Sequence, residues 1–236
     1  MTTVTQDTLD RLRQPSTATL TSVLKGHGLS TTFLQDVAPL RPDMSMAGRA
    51  FTLRYIPARE DLVDVPMDNL TDKQRVGIEQ MQPGDVLVID ARGDTRAGTM
   101  GSILAARMAY LGAAGVVTDG AYRDSPAIAD SGFPAYARVM NAHTNKTVHY
   151  PSEIQVPVGC GDVAVFPGDI VVGDGEGVVV IPAHLAVAVA EEAEEQELKE
   201  EFITEKIRGG ASLVGTYPPD EKTLQEFADW RRQRQS

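Results

Sequence analysis

The stretch from residue 83 to residue 134 constrains the fold more than any other part of this chain. It opens with a Pro-Gly-Asp turn and an unbroken apolar run, 86–89, that ends on Asp90. Short β-branched runs bounded by turn residues predict buried strands. A glycine-bearing loop, 91–101, follows, and residues 102–111, rich in Ala, Leu and Met and closed by a glycine, predict a buried helix.

A second strand is predicted over residues 115–118, a Gly-Val-Val-Thr run. Strand, helix and strand in this order form a βαβ unit, so the two strands should be parallel and joined by a right-handed crossover. The loops that leave two parallel strands emerge at the same edge of the sheet. Residues 98–101 and residues 119–124 are therefore expected to lie close together.

This predicted edge collects groups that bind ions. Ser125 or Asp124 is expected to cap a helix with Pro126 at its first position, and the helix predicted over 102–111 begins nearby. Helix N-termini and the Arg123 guanidinium attract anions, whereas the carboxylates of Asp119 and Asp124 attract a hard cation such as Mg²⁺. We therefore expect the chemistry here, although Asp119 has the alternative role of shaping its Asp-Gly turn.

The glycine loop at this edge consists of Gly98, Thr99, Met100 and Gly101. Its backbone N–H groups could bind a carboxylate in the same pocket, or it could be only a tight loop. It is not a Walker phosphate loop, because no Gly-Lys-Ser/Thr follows.

Composition excludes several classes of function. The 236 residues carry a formal net charge of −11, which argues against a nucleic-acid surface built on bulk positive charge. Four histidines and one cysteine supply neither a thiolate zinc cage nor an internal disulfide. The N-terminus lacks the apolar core of a signal peptide, and no run approaches the roughly 20 apolar residues of a membrane span. We expect a cytoplasmic protein with no nucleic-acid or membrane partner.

The remaining chain predicts a mixed α/β protein without internal repeats. We expect residues 1–14 to form a polar leader with Leu9 and Leu12 as apolar anchors. The predicted elements after it are a helix from 16 to about 24, a strand at 50–56, a loop at 58–70, a helix at 71–80, a strand at 133–139, a polar loop at 141–152, short strands over 154–181, and helices at 183–208 and 221–234. His143 and His149 are expected on the surface or in that polar loop. The segment 173–177 is read as a hairpin turn, and the acidic run 191–205 as a solvated helix face.

The residues of this central stretch also resemble a known family. Gly101-Ser102, twenty intervening residues and then Arg123-Asp124 fall within the pattern GxxxAxxxxxxGxxGVVxDGxxRD. That pattern is similar to the RraA-like family, which joins class II 4-hydroxy-4-methyl-2-oxoglutarate/4-carboxy-4-hydroxy-2-oxoadipate aldolases with the regulator of ribonuclease activity A. The resemblance continues at 158–161, 167–169 and 174–182, and it covers roughly residues 15 to 210.

The resemblance implies a fold and an assembly. The fold would be a layered α/β/β/α sandwich with mixed sheets, similar to a swivelling domain, in one domain over residues 1–236 with a leader at about 1–14 and a helical extension at about 211–236. The assembly would be a homotrimer or a dimer of trimers. The region matching residues 58–80 passes near the active site in the family, but no motif here assigns residues to it.

The resemblance also implies site roles. Arg123 and the backbone amides of Gly98, Thr99, Met100 and Gly101 would bind the carboxylate of a small 2-oxo acid, and Asp124 would hold Mg²⁺ or Mn²⁺. Family enzymes also use a glutamate from the C-terminal helix of a neighbouring subunit. Glu197, Glu200 and Glu201 are the candidates for it here.

One residue departs from the family pattern. Ser102 stands where the aldolases have an acid, usually Asp, that helps to hold water near the substrate. A serine hydroxyl can orient water but cannot act as a base near neutral pH.

The sequence thus favours a divalent-metal-dependent lyase, either a pyruvate aldolase or an oxaloacetate decarboxylase, with Arg123, Asp124 and Ser102 as its catalytic residues. The alternatives are a non-catalytic, protein-binding regulator and a metal-dependent enzyme acting on another sugar acid or hydroxy acid.

Overall fold

The computed structural model describes residues 4–61 and 68–234, so residues 62–67 of the predicted loop 58–70 lie outside it. Eleven strands run through the described ranges: β1 (Ala38–Pro39), β2 (Met46–Pro57), β3 (Asp85–Asp90), β4 (Gly98–Met100), β5 (Gly115–Tyr122), β6 (Ala135–Met140), β7 (His149–Ile154), β8 (Val158–Cys160), β9 (Val163–Val165), β10 (Ile170–Gly173) and β11 (Val178–Ile181). The helices there are α1 (Gln6–Leu12), α2 (Thr17–Gly26), α3 (Lys73–Gln80), α4 (Ser102–Tyr110), α5 (Ser125–Asp130), α6 (Ala186–Arg208) and α7 (Glu221–Arg234), with 3₁₀ turns at Asn145–Thr147 and Ala183–Leu185.

Nine of these strands form one mixed sheet in the order β1-β6-β5-β3-β2-β10-β11, with β4 attached to β5 and β7 to β2. Strands β2, β3, β5 and β6 are parallel to one another, while β10 and β7 run antiparallel to β2. Strands β8 and β9 form a separate antiparallel ribbon. The predicted βαβ unit is confirmed as β3-α4-β5, and the predicted hairpin turn at 173–177 joins β10 to β11.

The parallel strand β5 is longer than predicted. It pairs with β3 as far as Thr118, and β4 then pairs with it at Ala121 and Tyr122. The expected loop 91–101 therefore contains a short strand, and Asp119 and Gly120 lie inside β5 and not in the loop after it. The strand continues because a new neighbour takes over its hydrogen bonds where the first one ends.

Side-chain alternation along the strands creates the layers. In β3, Val86 and Val88 point to an inner core that includes the β8–β9 ribbon, whereas Leu87 and Ile89 point outward to α3, α4 and α5. In β10, Val171 points inward, and Ile170 and Val172 pack under α1, α2 and α6. Helices thus cover two outer faces of one nearly closed sheet that surrounds the inner core. The predicted α/β/β/α layering is confirmed, with one curved sheet in place of separate mixed sheets.

The N-terminal segment is anchored by Leu9 and Leu12, as predicted, but it is helical, which the prediction of a polar leader did not include. Residues Gln6–Leu12 form α1, which begins where the Thr5 hydroxyl accepts a hydrogen bond from the Thr8 amide. Leu9 and Leu12 are fully buried in the core that α6 shares with β10 and β11. Two leucines three residues apart lie on one helical face, which is enough to anchor a short helix on an apolar layer.

The C-terminal helices α6 and α7 occur where the sequence predicts them. Phe202 of α6 packs against Phe227 and Trp230 of α7, with ring centroids 5.6–5.7 Å from that of Phe202. The acidic run on α6 is not simply solvated, because Glu194 pairs with Arg11 at 2.7 Å and Glu195 with Arg231 at 2.6 Å. None of the helices in the described ranges is long and apolar enough to cross a membrane.

Candidate active site

The two loops expected to meet at the sheet edge do meet. Arg123 and Asp124 follow β5 directly, and the Arg123 amide donates a hydrogen bond of 3.0 Å to the Met100 carbonyl at the end of β4. Gly101 then links β4 to the first turn of α4. The proximity predicted from parallel strands is therefore confirmed.

Two glycines make this approach possible. A Cβ built on Gly101 would lie 2.5 Å from Asp124 Oδ2 and 3.0 Å from Arg123 Cγ. A Cβ on Gly98 would lie 2.7 Å from the Arg123 amide nitrogen and 3.1 Å from the Asn141 carbonyl oxygen. Side chains at these positions would therefore collide with the Arg-Asp pair itself or with the backbone that holds it.

Asp124 has an unusual backbone conformation that orients its carboxylate. Its φ of 55° lies in the left-handed region, which a non-glycine residue adopts at a cost of roughly 1–3 kcal/mol. Asp124 precedes α5 as its N-cap, but its side chain makes no capping hydrogen bond there. Instead, Oδ2 lies 3.5 Å from Arg123 Nε and 3.4 Å from the Ser102 amide at the start of α4.

The start of α5 differs slightly from the prediction. Ser125 is the first helical residue and Pro126 the second, so Asp124, and not Ser125, is the N-cap.

A cavity of about 220 Å³ opens beside the Arg-Asp pair. Its lining residues are Gln74, Arg75, Gly98, Met100, Gly101, Ile103, Leu104, Arg123, Asp124, Thr144 and Asn145. Pockets for drug-sized ligands usually measure about 300–1,000 Å³, so this one suits a smaller molecule. Its position at the carboxyl ends of parallel strands is where open α/β sheets bind ligands.

Two of the predicted site residues are absent from that lining, Thr99 and Ser102. Thr99 is fully buried, and its carbonyl accepts hydrogen bonds from the Tyr55 hydroxyl at 3.1 Å and from Gln74 Nε2 at 2.8 Å. Thr99 therefore holds β4 in place through its carbonyl, and a substrate contact through its backbone amide stays a prediction. Ser102 lies beside the cavity, where its amide faces Asp124.

One wall of the cavity comes from residues that the sequence did not single out. Gln74 and Arg75 belong to α3, and Thr144 and Asn145 lie in the loop before β7. Neither segment carries a motif, and both lie at least twenty positions from the Arg-Asp pair. A hydrogen bond from Gln74 to the Thr99 carbonyl brings α3 to the site, and one from the Gly98 amide to the His143 carbonyl brings the loop before β7.

Asp119 lies away from the cavity. Its buried carboxylate accepts hydrogen bonds from the Ala91 amide at 2.7 Å and the Gly93 amide at 2.9 Å. Burial raises the pKa of the Asp119 carboxyl, and these two hydrogen bonds oppose that shift. Asp119 therefore shapes the turn after β3. The sequence suggested a similar structural role, but in the turn formed by Asp119 and Gly120 themselves.

The two histidines differ from each other. His143 is exposed in its loop, as predicted, but His149 is buried in β7 and stacks on Tyr55 with ring centroids 5.3 Å apart. The prediction of a surface or loop position was wrong for His149, because residues 149–154 add a strand to the edge of β2. Burial lowers the pKa of its imidazole, so the ring is favoured in its neutral form.

Comparison with known proteins identifies this arrangement. A family model described as RraA-like: Aldolase/RraA matches residues 17–180, more than half of the chain. The chain belongs to the RraA-like family. The matched range includes β3, β4, α4 and β5, so the Arg-Asp pair and the glycines packed against it lie within the family's own segment.

Individual relatives and solved structures match most of the chain. A protein of Halalkalibacterium halodurans, provisionally named 4-hydroxy-4-methyl-2-oxoglutarate aldolase, is 29% identical over 211 residues, which are 89% of this chain and 93% of that protein. The solved structure of an uncharacterized Pseudomonas syringae protein has a TM-score of 0.79 at 28% identity and covers 92% of this chain and 100% of its own. Streptomyces coelicolor RraAS2, described as an unusual member of the RNase ES inhibitor RraA protein family, has a TM-score of 0.78 at 32% identity, covering 86% of this chain and 98% of its own.

The donor set restricts the kind of metal ion that this RraA-like site could hold. In residues 4–61 and 68–234, no three His, Cys, Asp or Glu side chains lie close enough to share an ion. A site ligated wholly by protein side chains does not fit. Mg²⁺, however, is commonly held by one or two carboxylates with water and substrate oxygens, and the Asp124 side chain is 40% exposed. The residues present fit a cation held in that way.

The three glutamates that the resemblance suggested lie on α6. Within this chain Glu197 accepts a hydrogen bond from the Ser16 amide at 3.0 Å, and Glu201 pairs with Arg234 at 2.8 Å. Glu200 accepts a hydrogen bond of 2.7 Å from Gln196. A role for any of them in a neighbouring subunit stays a prediction.

Proposed function

We propose that this RraA-like protein is a divalent-metal-dependent lyase that cleaves a carbon–carbon bond in small 2-oxo acids, by pyruvate-aldolase or oxaloacetate-decarboxylase chemistry. The observation that carries the proposal is the adjacent pair Arg123 and Asp124 at the edge of a small cavity. Glycines at 98 and 101 let the chain approach the pair closely. The provisional aldolase name of the Halalkalibacterium halodurans relative supports the same class of reaction.

Arg123 is the residue that would bind the substrate carboxylate. Its Nε is buried and lies 3.5 Å from Asp124 Oδ2 as an ion pair, without a hydrogen bond in the described part of the chain. A buried donor without an acceptor costs free energy, and a planar guanidinium engages a carboxylate through two parallel hydrogen bonds. The Arg123 side chain is 42% exposed at the cavity, so the rest of its guanidinium could engage a bound carboxylate there.

Asp124 would hold Mg²⁺ or Mn²⁺. A bound divalent cation would supply positive charge that stabilises the enolate left when the bond breaks. Asp124 is preset for this role, because its left-handed backbone directs the carboxylate away from its own helix. The cavity lining includes no lysine among the described residues, so an amine for a Schiff base is not part of the proposal.

Ser102 would determine which of the two candidate reactions is faster. Aldol cleavage needs a base that takes the proton from the substrate's C4 hydroxyl, and a serine hydroxyl is not a base near neutral pH. Decarboxylation of oxaloacetate has no such hydroxyl to deprotonate. We therefore expect decarboxylation to be the faster reaction.

We also propose that the protein assembles as a homotrimer or a dimer of trimers. Ile103 and Tyr110, seven residues apart on α4, share one face of that helix and are 83% and 81% exposed. Large apolar side chains exposed next to a cavity are typical of surfaces that another chain covers. Sedimentation equilibrium of wild type and Tyr110→Glu tests this. If α4 lies in the interface, the variant should have a smaller assembly mass in solution than wild type, because the buried glutamate would weaken subunit association. An unchanged mass would leave α4 outside it.

A second candidate function is protein binding without catalysis. The Streptomyces coelicolor relative is described as a member of an RNase inhibitor family, and it matches 86% of this chain at 32% identity. A regulator would bind its partner through the surface and leave the cavity without turnover.

One experiment separates these functions. Purified protein is incubated with Mg²⁺ or Mn²⁺ and either oxaloacetate or 4-hydroxy-4-methyl-2-oxoglutarate, and pyruvate is measured with and without a chelator. Metal-dependent pyruvate release above the non-enzymatic rate supports the lyase. No release from either substrate would refute it, and would favour the regulator or an enzyme for another sugar acid or hydroxy acid.

A further inference from the structure

A buried histidine lies behind the wall of the cavity, and the proposed reaction does not use it. His149 in β7 is 1% exposed, and its ring stacks on that of Tyr55 in β2 with an interplanar angle of 23°. Imidazole is the side chain whose ordinary pKa lies nearest to neutrality, so its surroundings decide whether it carries a charge. The contacts of His149 therefore determine what a change of pH does to this part of the fold.

One of these contacts fixes the protonation state of the ring. Arg92 Nη2 lies 3.3 Å from His149 Nδ1, and because a guanidinium can only donate, Nδ1 accepts and carries no proton. The ring is then neutral with its proton on Nε2, an atom that is buried and has no hydrogen-bond partner in the described part of the chain. A proton added to Nδ1 would replace the hydrogen bond by two cationic donors that face each other.

The charged groups around His149 come from the segment between β3 and β4. Burial is the largest effect and lowers the pKa of the imidazole, which the Asp94 carboxylate and the Ala97 carbonyl oppose. The guanidinium groups of Arg92 and Arg96 lower the pKa further. Asp94 is shared by both arginines, since its Oδ2 lies 2.6 Å from Arg96 Nη2 and 3.9 Å from Arg92 Nη2. The segment thus presents two positive groups and one negative group to the ring, which favours the neutral imidazole.

Tyr55 connects His149 to the wall of the cavity. Its hydroxyl donates to the Thr99 carbonyl at 3.1 Å and accepts a hydrogen bond of 3.4 Å from Asn145 Nδ2. Asn145 lines the cavity, and Thr99 lies in β4 between two other lining residues. Burial raises the pKa of the Tyr55 phenol, so the hydroxyl keeps its proton. The ring of His149 thus supports a tyrosine that holds two segments of the wall.

A second connection runs through the segment 91–97, which contains Arg92 and leads directly into β4. The Thr95 carbonyl of this segment accepts a hydrogen bond of 2.8 Å from Asn141 Nδ2. Release of Arg92 from His149 would loosen the segment near its start, and β4 begins where the segment ends. Both connections lead from His149 to the strand whose backbone amides would bind the substrate carboxylate.

We propose that His149 is a positioning residue whose neutral imidazole holds the cavity wall in place, and that its protonation releases the wall while the rest of the chain stays folded. A charged ring would leave its place on Tyr55 or displace the segment 91–97, because it faces Arg92 donor to donor. Either movement reaches β4. The effect on turnover rests on the proposed function, whereas the effect on β4 does not.

The test measures two properties of the full-length protein between about pH 4.5 and 8, on either side of the ordinary imidazole pKa. The first is kcat/KM for oxaloacetate with Mn²⁺, after subtraction of the rate without protein. The second is hydrogen exchange of the backbone amides of residues 98–101 without substrate, relative to the intrinsic rate at each pH. In wild type, kcat/KM should fall about tenfold per pH unit below a midpoint under the ordinary value of about 6.5, and relative exchange should rise over the same interval. The imidazole resonance of His149 should titrate with that midpoint.

Two variants remove the titration, and each keeps one contact. His149→Phe preserves the stack on Tyr55, whereas His149→Asn places a carbonyl oxygen near the position of Nδ1 as an acceptor for Arg92. Neither side chain can be protonated, so both variants should lose the acidic fall in kcat/KM and the acidic rise in exchange. At about pH 8, where the wild-type ring is neutral, the lost hydrogen bond or stacking contact should lower kcat/KM by about 2- to 10-fold.

His143→Asn is the matched control, because His143 is exposed in the neighbouring loop. It should keep the acidic fall of wild type. An unfolded chain binds a proton that the native His149 ring resists, so the free energy of unfolding should decrease as the pH drops below about 6.5. Circular dichroism at each pH therefore shows whether the chain is still folded. If one His149 variant does not fold, the other decides, and the wild-type exchange and imidazole titration decide if neither folds.

Three results would overturn the inference: an acidic fall that persists in the His149 variants, relative exchange at 98–101 that does not rise as His149 is protonated, or global unfolding at the same pH as the fall in kcat/KM. The exchange measurement keeps these results distinct from failure of the proposed function. If the protein does not turn over oxaloacetate, the decarboxylase assignment fails, and exchange together with the imidazole titration still decides the role of His149.

Discussion

Gly101→Ala separates the geometry of the Arg-Asp pair from the stability of the fold. The added Cβ would lie 2.5 Å from Asp124 Oδ2, and ordinary contact begins at 3.4 Å, so the carboxylate must move by about 0.9 Å. The φ of Gly101 is −135°, which alanine adopts without strain. The atom that has to move is the tip of a side chain, so the fold can accommodate the change and the site cannot.

The expected loss follows from that displacement. A misplacement of about 1 Å at a reacting group can cost on the order of 100-fold in rate. We expect Gly101→Ala to lower kcat/KM for oxaloacetate with Mn²⁺ by about 100-fold, and to weaken Mn²⁺ binding measured by calorimetry. Alanine is a poorer N-cap than glycine, so the free energy of unfolding should fall by about 1 kcal/mol or less.

Two further glycine variants provide the comparison. Gly98→Ala brings its Cβ to 2.7 Å from the Arg123 amide nitrogen, a backbone atom that cannot rotate away, so this variant should lose about 1–3 kcal/mol of stability. The Cβ of Gly159→Ala meets no atom of the described residues within 4 Å, so this variant should change neither activity nor stability by much. Wild-type kinetics and Mn²⁺ affinity in Gly101→Ala would refute the reasoning, as would a loss of stability as large as that of Gly98→Ala.

The other predictions concern the residues assigned to catalysis. Asp124→Ala should abolish Mn²⁺ binding while the thermal unfolding transition is retained, because the side chain is 40% exposed and makes no cap; unchanged affinity in a Mn²⁺ titration would remove it as the metal ligand. Arg123→Lys should weaken oxalate or pyruvate binding by about 1.5–3 kcal/mol, since an ammonium cannot form the two parallel hydrogen bonds of a guanidinium; equal inhibitor affinity in both proteins would contradict this. Ser102→Asp should raise the rate of 4-hydroxy-4-methyl-2-oxoglutarate cleavage relative to oxaloacetate decarboxylation, because general-base catalysis is typically worth about 10²–10⁴-fold. If pyruvate assays show the same ratio of the two rates in wild type and variant, position 102 is not where the catalytic base of an aldolase would act.

Local patterns determined much of this fold. A βαβ unit is identified without any long-range information from three consecutive segments: the apolar run of β3, the segment of α4 that is rich in helix-forming residues, and the apolar run of β5. This is possible because strand and helix periodicities differ over a few residues. The same unit implies that Arg123-Asp124 meets the glycine loop, since parallel strands send their loops to one edge. The bounds of α7 follow equally from local sequence, with a Pro-Pro pair before the helix and apolar residues repeating along it.

Other features depended on which elements become neighbours. Strand β5 extends through Asp119 because β4 pairs with it beyond Thr118, and His149 is buried because β7 joins the edge of β2. In each case the residue's own neighbours in sequence favour a loop, and hydrogen bonds to a distant segment override that preference.

The sequence alone thus determined one half of the cavity, the Arg123-Asp124 pair with its glycines. Tertiary structure decided the other half. Arg75 stands in a polar helix with no motif around it, and nothing within a turn of α3 distinguishes it from a surface arginine. It becomes part of the site because a buried hydrogen bond from Gln74 to the Thr99 carbonyl holds α3 beside β4, at the cavity that the pair lines. Contacts between segments so far apart in the chain leave no periodic signal in either one.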